Sequence, residues 1–145
     1  MITTTRRAIE SVDVGHSVSV FREITEADIQ KFAEVSGDFN PLHLDEEYAR
    51  RTIFGGRIAH GILALGLISA ALAKLPGVVV YLSQSVKFTR PVRIGDTIEA
   101  VVEVVDKVAE KSGVRLRTFC RNQRGESVLE GEARVKLLDL KKSSE

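Results

Sequence analysis

The stretch IAHGILALGLISAALAKL, residues 58–75, is almost wholly apolar and constrains the chain more than any other segment. It opens on Ile58 and Ala59 before a His60-Gly61 pair, carries Ser69, and ends at Lys74 ahead of Pro76 and Gly77. A membrane-spanning helix needs about 20 predominantly apolar residues. With polar groups near both ends and a borderline length, this segment reads instead as a buried core helix. A helix that is apolar on every side must be surrounded by protein around its circumference. The downstream sequence offers that surround in strand candidates at residues 78–90, 97–110, 113–123 and 127–138, all rich in β-branched residues. A sheet curved around one helix is therefore expected.

The connections support a meander. Lys111-Ser112-Gly113 and Arg124-Gly125 are short turn signals that join neighbouring strands as antiparallel hairpins. In the third candidate, Val114, Leu116, Thr118 and Cys120 alternate with Arg115, Arg117 and Arg121, the period of a sheet with one wet face. Upstream, SVSVFREI at residues 17–24 alternates as a short strand. Thr25 then reads as an N-cap with Asp28 three residues on; Ile29, Phe32 and Ala33 share a face, and Gly37 supplies a left-handed terminator. Residues 38–44 read as a loop around Pro41, and Asp45 as the cap of a short helix through Ala49. The fold class is α+β, in one domain spanning residues 1–145, with a core at about 17–138 and a polar tail at 139–145.

Composition removes several function classes. The 21 basic and 20 acidic side chains nearly cancel, so no overall field favours nucleic acid or an anionic membrane. One cysteine, Cys120, cannot form an internal disulfide, and no Cys/His spacing fits a structural zinc site. The N-terminal MITTTRRAIESVDVG has no apolar core of a secretory signal. A cytoplasmic location, with no metal, is expected.

The chemistry concentrates in SGDFNPLHLDEE, residues 36–47. Asp38 and His43 flank Pro41, which fixes its own φ and pushes Asn40 toward extended geometry, stiffening the turn between them. A carboxylate and an imidazole held together are what hydration of a double bond requires, since water must lose a proton and the neighbouring carbon gain one. The string alone fits equally well a loop-capping aspartate and a hydrogen-bonded structural histidine. Gly61, at the expected start of the apolar helix, offers a backbone N–H that a carbonyl can approach closely. Gly61 is also accounted for by close helix packing. Ser69, two turns on, either bonds within a pocket or back onto its own helix.

The three ordered blocks SGDFNPLHLDEEYA, FGGRIAHGILALGLIS and YLSQSVKFTRPVRIGDTI resemble the MaoC-like, (R)-specific enoyl-CoA hydratases of the hot-dog fold, over roughly residues 17–138. The resemblance implies an antiparallel sheet wrapped around one long helix, the arrangement expected above on other grounds. It implies Asp38 and His43 as the catalytic pair, Gly61 as the oxyanion-binding amide and Ser69 as a pocket serine. It also implies reversible syn hydration of a trans-2-enoyl-CoA to an (R)-3-hydroxyacyl-CoA without metal or redox cofactor, by a homodimer whose sheets join edge to edge.

CoA carries phosphates, so basic side chains are expected at the pocket mouth. Lys87, Arg90 and Arg93 are the candidates, although surface solvation is the ordinary role for any one of them. Other readings share the fold: a dehydratase acting on acyl-carrier-protein substrates, an acyl-CoA thioesterase, or a non-catalytic acyl-CoA-binding chain.

Overall fold

A computed structural model of the chain describes residues 7–143. The first six residues of the N-terminal stretch read above, and the last two of the polar tail, lie outside the described residues. The strands are β1 (Ser17–Glu23), β2 (Val78–Phe88), β3 (Thr97–Val108), β4 (Gly113–Arg121) and β5 (Ser127–Leu138). The helices are α1 (Glu26–Ser36), α2 (Pro41–Leu44), α3 (Glu46–Arg50) and α4 (Gly61–Leu72).

The strands form one antiparallel sheet in the order β1-β3-β4-β5-β2. The two short turns join β3, β4 and β5 into the expected meander. β2 lies out of sequence beside β5 and makes one edge of the sheet, while β1 makes the other. Val114, Leu116, Thr118 and Cys120 are buried, as their alternation predicts, beneath α4. Ile68, Ala71 and Leu72 of α4 share that core with Ala100, Val102, Val104, Leu129, Ala133 and Val135. Cys120 points its thiol at the Ala64 carbonyl, 3.6 Å away, and burial pushes its pKa up to about 12. It is a packing residue rather than a nucleophile.

Two expectations need correction. The core reaches upstream of residue 17, because a 3-10 turn at Ala8–Ser11 buries Ala8, Ile9 and Val12 against the sheet. At the other end the Asp139 carboxylate accepts the Ala8 N–H at 2.8 Å, which ties the start of the tail down. The apolar helix starts at Gly61 as expected, but it ends at Leu72, short of residue 75, and is not enclosed all round. Ile58–His60 are not helical, since the Ala59 N–H is drawn away to the Val92 carbonyl at 2.7 Å. Ala64, Ile68, Ala71 and Leu72 face the sheet, whereas Ile62, Gly66, Ser69 and Ala70 are exposed. Nothing among the described residues covers that side.

The strand-to-helix entry that carries the site is fixed locally. Thr25 and Asp28 form the reciprocal capping box, and Gly37 closes α1 at φ 79° with its N–H on the Ala33 carbonyl. Asp28 also accepts the Arg22 guanidinium from β1 at 3.2 Å. That hydrogen bond holds the Asp28 carboxyl below its ordinary value, outweighing its burial. A depressed folded pKa means stability that is present above the ordinary aspartate range and lost as pH falls through the folded value. Asp28→Ala is expected to cost about 1–2 kcal/mol in urea unfolding at neutral pH. The difference from wild type should shrink in acid.

Candidate active site

Residues 38–44 are not wholly a loop. Asn40 caps α2 by accepting the Leu42 N–H at 3.0 Å, and Pro41 takes the first helical position, where its missing N–H is no loss. This one-turn helix aims His43 inward. Asp38 stays in the preceding turn, where its carboxylate accepts the Asn40 N–H at 3.2 Å. Asp45 then caps α3 through the Tyr48 N–H, as expected.

His43 is buried, and its Nδ1 lies 2.8 Å from the Ile58 carbonyl. A carbonyl can only accept, so Nδ1 carries the proton and Nε2 is the free base. The main chain of His43 is held in turn by Arg57, whose Nε–H donates to the His43 carbonyl at 2.7 Å and whose guanidinium pairs with Glu26 at 2.9 Å.

His60 is the site residue that sequence reasoning did not single out. It is 2% exposed, with its ring centroid 4.0 Å from that of His43 and 4.7 Å from that of Phe32. Its Nε2–H donates to the Asp38 carbonyl at 3.1 Å. Its Nδ1 is buried with no hydrogen-bond partner among the described residues. A titratable side chain inside an otherwise apolar run was the available signal. Burial, aided by the neighbouring His43, holds His60 below the ordinary imidazole value despite its bond to Asp38. The unfolded chain takes up a proton near pH ~6.5 that the folded chain refuses. Stability is therefore expected to fall as pH drops from there toward the folded pKa, a slope that His60→Phe should remove in urea titrations.

The Asp38 carboxylate and one ring nitrogen from each of His43 and His60 lie within 4.8 Å of one another. A water molecule bonded to two groups at about 2.8 Å each spans a separation of that size. The two imidazole planes are tilted by 35°, and each ring has one nitrogen on a main-chain carbonyl.

Beside His43 opens an apolar pocket of about 410 Å³, lined among others by Phe54, Ile58, Gly61, Ile62, Phe88 and Val92. Gly61 is the first residue of α4, so its N–H has no intrahelical acceptor. A Cβ there would sit 2.8 Å from the Phe88 ring. Gly61 thus permits close packing of the Phe88 ring and lies on the pocket wall.

The remaining candidates separate. Arg90 lines the pocket and pairs with Glu126 at 3.4 Å. Arg93 does not serve as a free cation, because its guanidinium bonds the Phe54 carbonyl at 2.6 Å and the Gly56 carbonyl at 3.3 Å. Lys87 faces a different depression, on β2 opposite Glu130. Ser69 is exposed and outside the pocket lining. Eight residues of helix carry it about 12 Å along α4 from Gly61 and roughly 80° around it.

An antiparallel sheet packed on one helix carries a histidine at the lining of an apolar pocket with a carboxylate close to that histidine, and the chain belongs to the MaoC-like domain family, whose model matches residues 11–119. It is 49% identical over 128 residues to an (R)-specific enoyl-CoA hydratase of Rhodospirillum rubrum, covering 87% of this chain and 88% of that one. It is 48% identical over 130 residues to a 3-hydroxybutyryl-CoA dehydratase of Methylorubrum extorquens, covering 88% and 82%. Among solved structures, the (R)-hydratase of Aeromonas caviae involved in PHA biosynthesis superposes with a TM-score of 0.85 at 40% identity, covering 88% of this chain and 98% of that one. An unliganded R-hydratase from Pseudomonas aeruginosa gives 0.84 at 42%, covering 94% and 91%. The α+β hot-dog architecture expected from the sequence is the fold of these neighbours.

Proposed function

We propose that the chain is an (R)-specific enoyl-CoA hydratase, a hydro-lyase that adds water reversibly across a trans-2-enoyl-CoA. The observation that carries this reading is the Asp38 carboxylate and the His43 imidazole within 4.8 Å of each other beside an apolar pocket. Asp38 and the Nε2 of His43 orient one water. As its oxygen bonds to C3, the proton it loses passes to this pair. The π electrons move toward the thioester oxygen, where the Gly61 N–H stabilises the developing charge. A proton from the same pair then reaches C2. Delivery of hydroxyl and proton from one side gives syn addition. No metal or redox group enters these steps.

The substrate's acyl chain lies in the pocket, and Arg90 at its lining is the basic residue placed to meet a CoA phosphate. Two copies join through β2, an eleven-residue edge strand with exposed Val78, Leu82, Val86 and Phe88. A bare apolar edge of this length favours pairing with another strand. The exposed side of α4, Ser69 included, is the surface that such a partner would reach. The lone Cys120 favours a cytoplasmic location for the reaction; no helix among the described residues is long and apolar enough to cross a membrane.

A second reading changes only the carrier. The chain is 38% identical over 131 residues to a mitochondrial 3-hydroxyacyl-[acyl-carrier-protein] dehydratase of Arabidopsis thaliana. The test is the loss of conjugated enoyl thioester absorbance across several chain lengths on both carriers, with chiral analysis of the product. Hydration to the (R) alcohol on CoA is the expected result. An (S) product, or free thiol release in place of hydration, overturns the reading.

A further inference from the structure

The geometry points to His60 as a positioning residue that sets both members of the acid–base pair at once: its Nε2–H clamps the Asp38 main chain while its ring is the wall against which the His43 imidazole is seated. This rests on the hydratase reading of the same site. No other described side chain makes a hydrogen bond or ring contact to both Asp38 and His43.

Two structural opportunities are forgone at this position. His60 occupies the N-cap of α4 yet makes no side-chain cap bond, where Ser, Thr, Asp or Asn would stabilise the helix. Its Nδ1 is buried without a partner, where an apolar ring of similar shape would carry no such cost. A residue selected only for packing or capping fits this place poorly. What the imidazole supplies, and those alternatives do not, is a ring to stack and a donor at its far end together. Phe32 backs the ring from α1, at 51° between planes, so His60 is itself held. Among the described residues Asp38 has no other hydrogen bond to the core: its carboxylate accepts the Asn40 N–H of its own turn, and its own N–H donates to the Ser36 hydroxyl. His60 is thus its one tether to the buried side of the site.

Two variants separate the parts of this role. His60→Phe keeps the ring and removes the donor; His60→Gln keeps an N–H donor and removes the ring. Each is expected to lower kcat for crotonyl-CoA by roughly 10- to 100-fold with KM within about 3-fold, the signature of misplacement by fractions of an ångström. His60→Phe is expected to keep or raise the Tm. The ¹⁵N shifts of the His43 imidazole should report a single Nδ1–H tautomer in wild type and in His60→Phe, and a mixture in His60→Gln. The assignment is overturned if both variants keep kcat within about 3-fold, or if kcat per folded molecule is unchanged while Tm falls. If wild type hydrates no enoyl thioester but the His43 tautomer still shifts in His60→Gln, the hydratase reading fails and the positioning role stands.

Discussion

Asp38→Asn and His43→Gln are each expected to leave the chain folded and to lower kcat for hydration of crotonyl-CoA by about 10²- to 10⁴-fold. Asparagine keeps the size of Asp38 and its acceptor for the Asn40 N–H, so the turn survives. It cannot take a proton. Glutamine at residue 43 removes the ring that the Ile58 carbonyl orients and with it the free Nε2. Losses of this size come from chemistry and not from binding, because the pocket lining is otherwise intact. The double variant should be little worse than either single, since each group works through the same water. Steady-state kinetics with circular dichroism on the same samples checks the prediction; near-normal turnover in either single variant removes that residue from the mechanism.

Gly131→Ala is expected to be the most destabilising single methyl in the sheet, by about 3 kcal/mol or more. Gly131 sits on β5 between Val86 of β2 and Thr118 of β4. A Cβ built there falls 1.9 Å from the Ser85 carbonyl oxygen, a backbone atom that cannot rotate out of the way. The added carbon also meets Gln84 Nε2 at 3.1 Å, and that group bonds the fully buried Thr118 hydroxyl at 2.9 Å. The substitution therefore separates β2 from β5 and strands a buried hydroxyl. A shift of the urea midpoint at unchanged slope reads it out; a cost below about 0.5 kcal/mol contradicts the packing.

What the sequence made legible was mostly local. The capping box of Thr25 and Asp28, the left-handed Gly37, the Asp45 cap and the alternation of Val114 through Cys120 each depend on a few neighbouring residues, and each is present. The spacing of Asp38 and His43 around Pro41 also told of their approach, because a single helical turn and its cap bridge the two. Features set by distant partners were not legible. The sequence placed the helix start at His60-Gly61 but not its cause: Val92, more than thirty residues on, takes the Ala59 N–H. Arg93 is spent on Phe54 and Gly56 for reasons no local pattern encodes. Edge placement of β2 likewise follows from pairing with β5 across the whole meander. Ser69 was placed by counting turns, but which side of α4 meets the sheet is decided by the strands. His60 hid inside the apolar run because its partners, Phe32, Asp38 and His43, come from other segments.

Phe88 belongs at once to the last position of β2 and to the lining of the pocket, where its ring closes on Gly61. A strand that pairs with β2 in the proposed dimer and shifts Phe88 would alter the pocket, and by linkage the influence would run both ways. In the proposed edge-to-edge dimer, substrate occupancy and self-association are one coupled equilibrium, so dilution would weaken ligand affinity and saturating ligand would resist dilution.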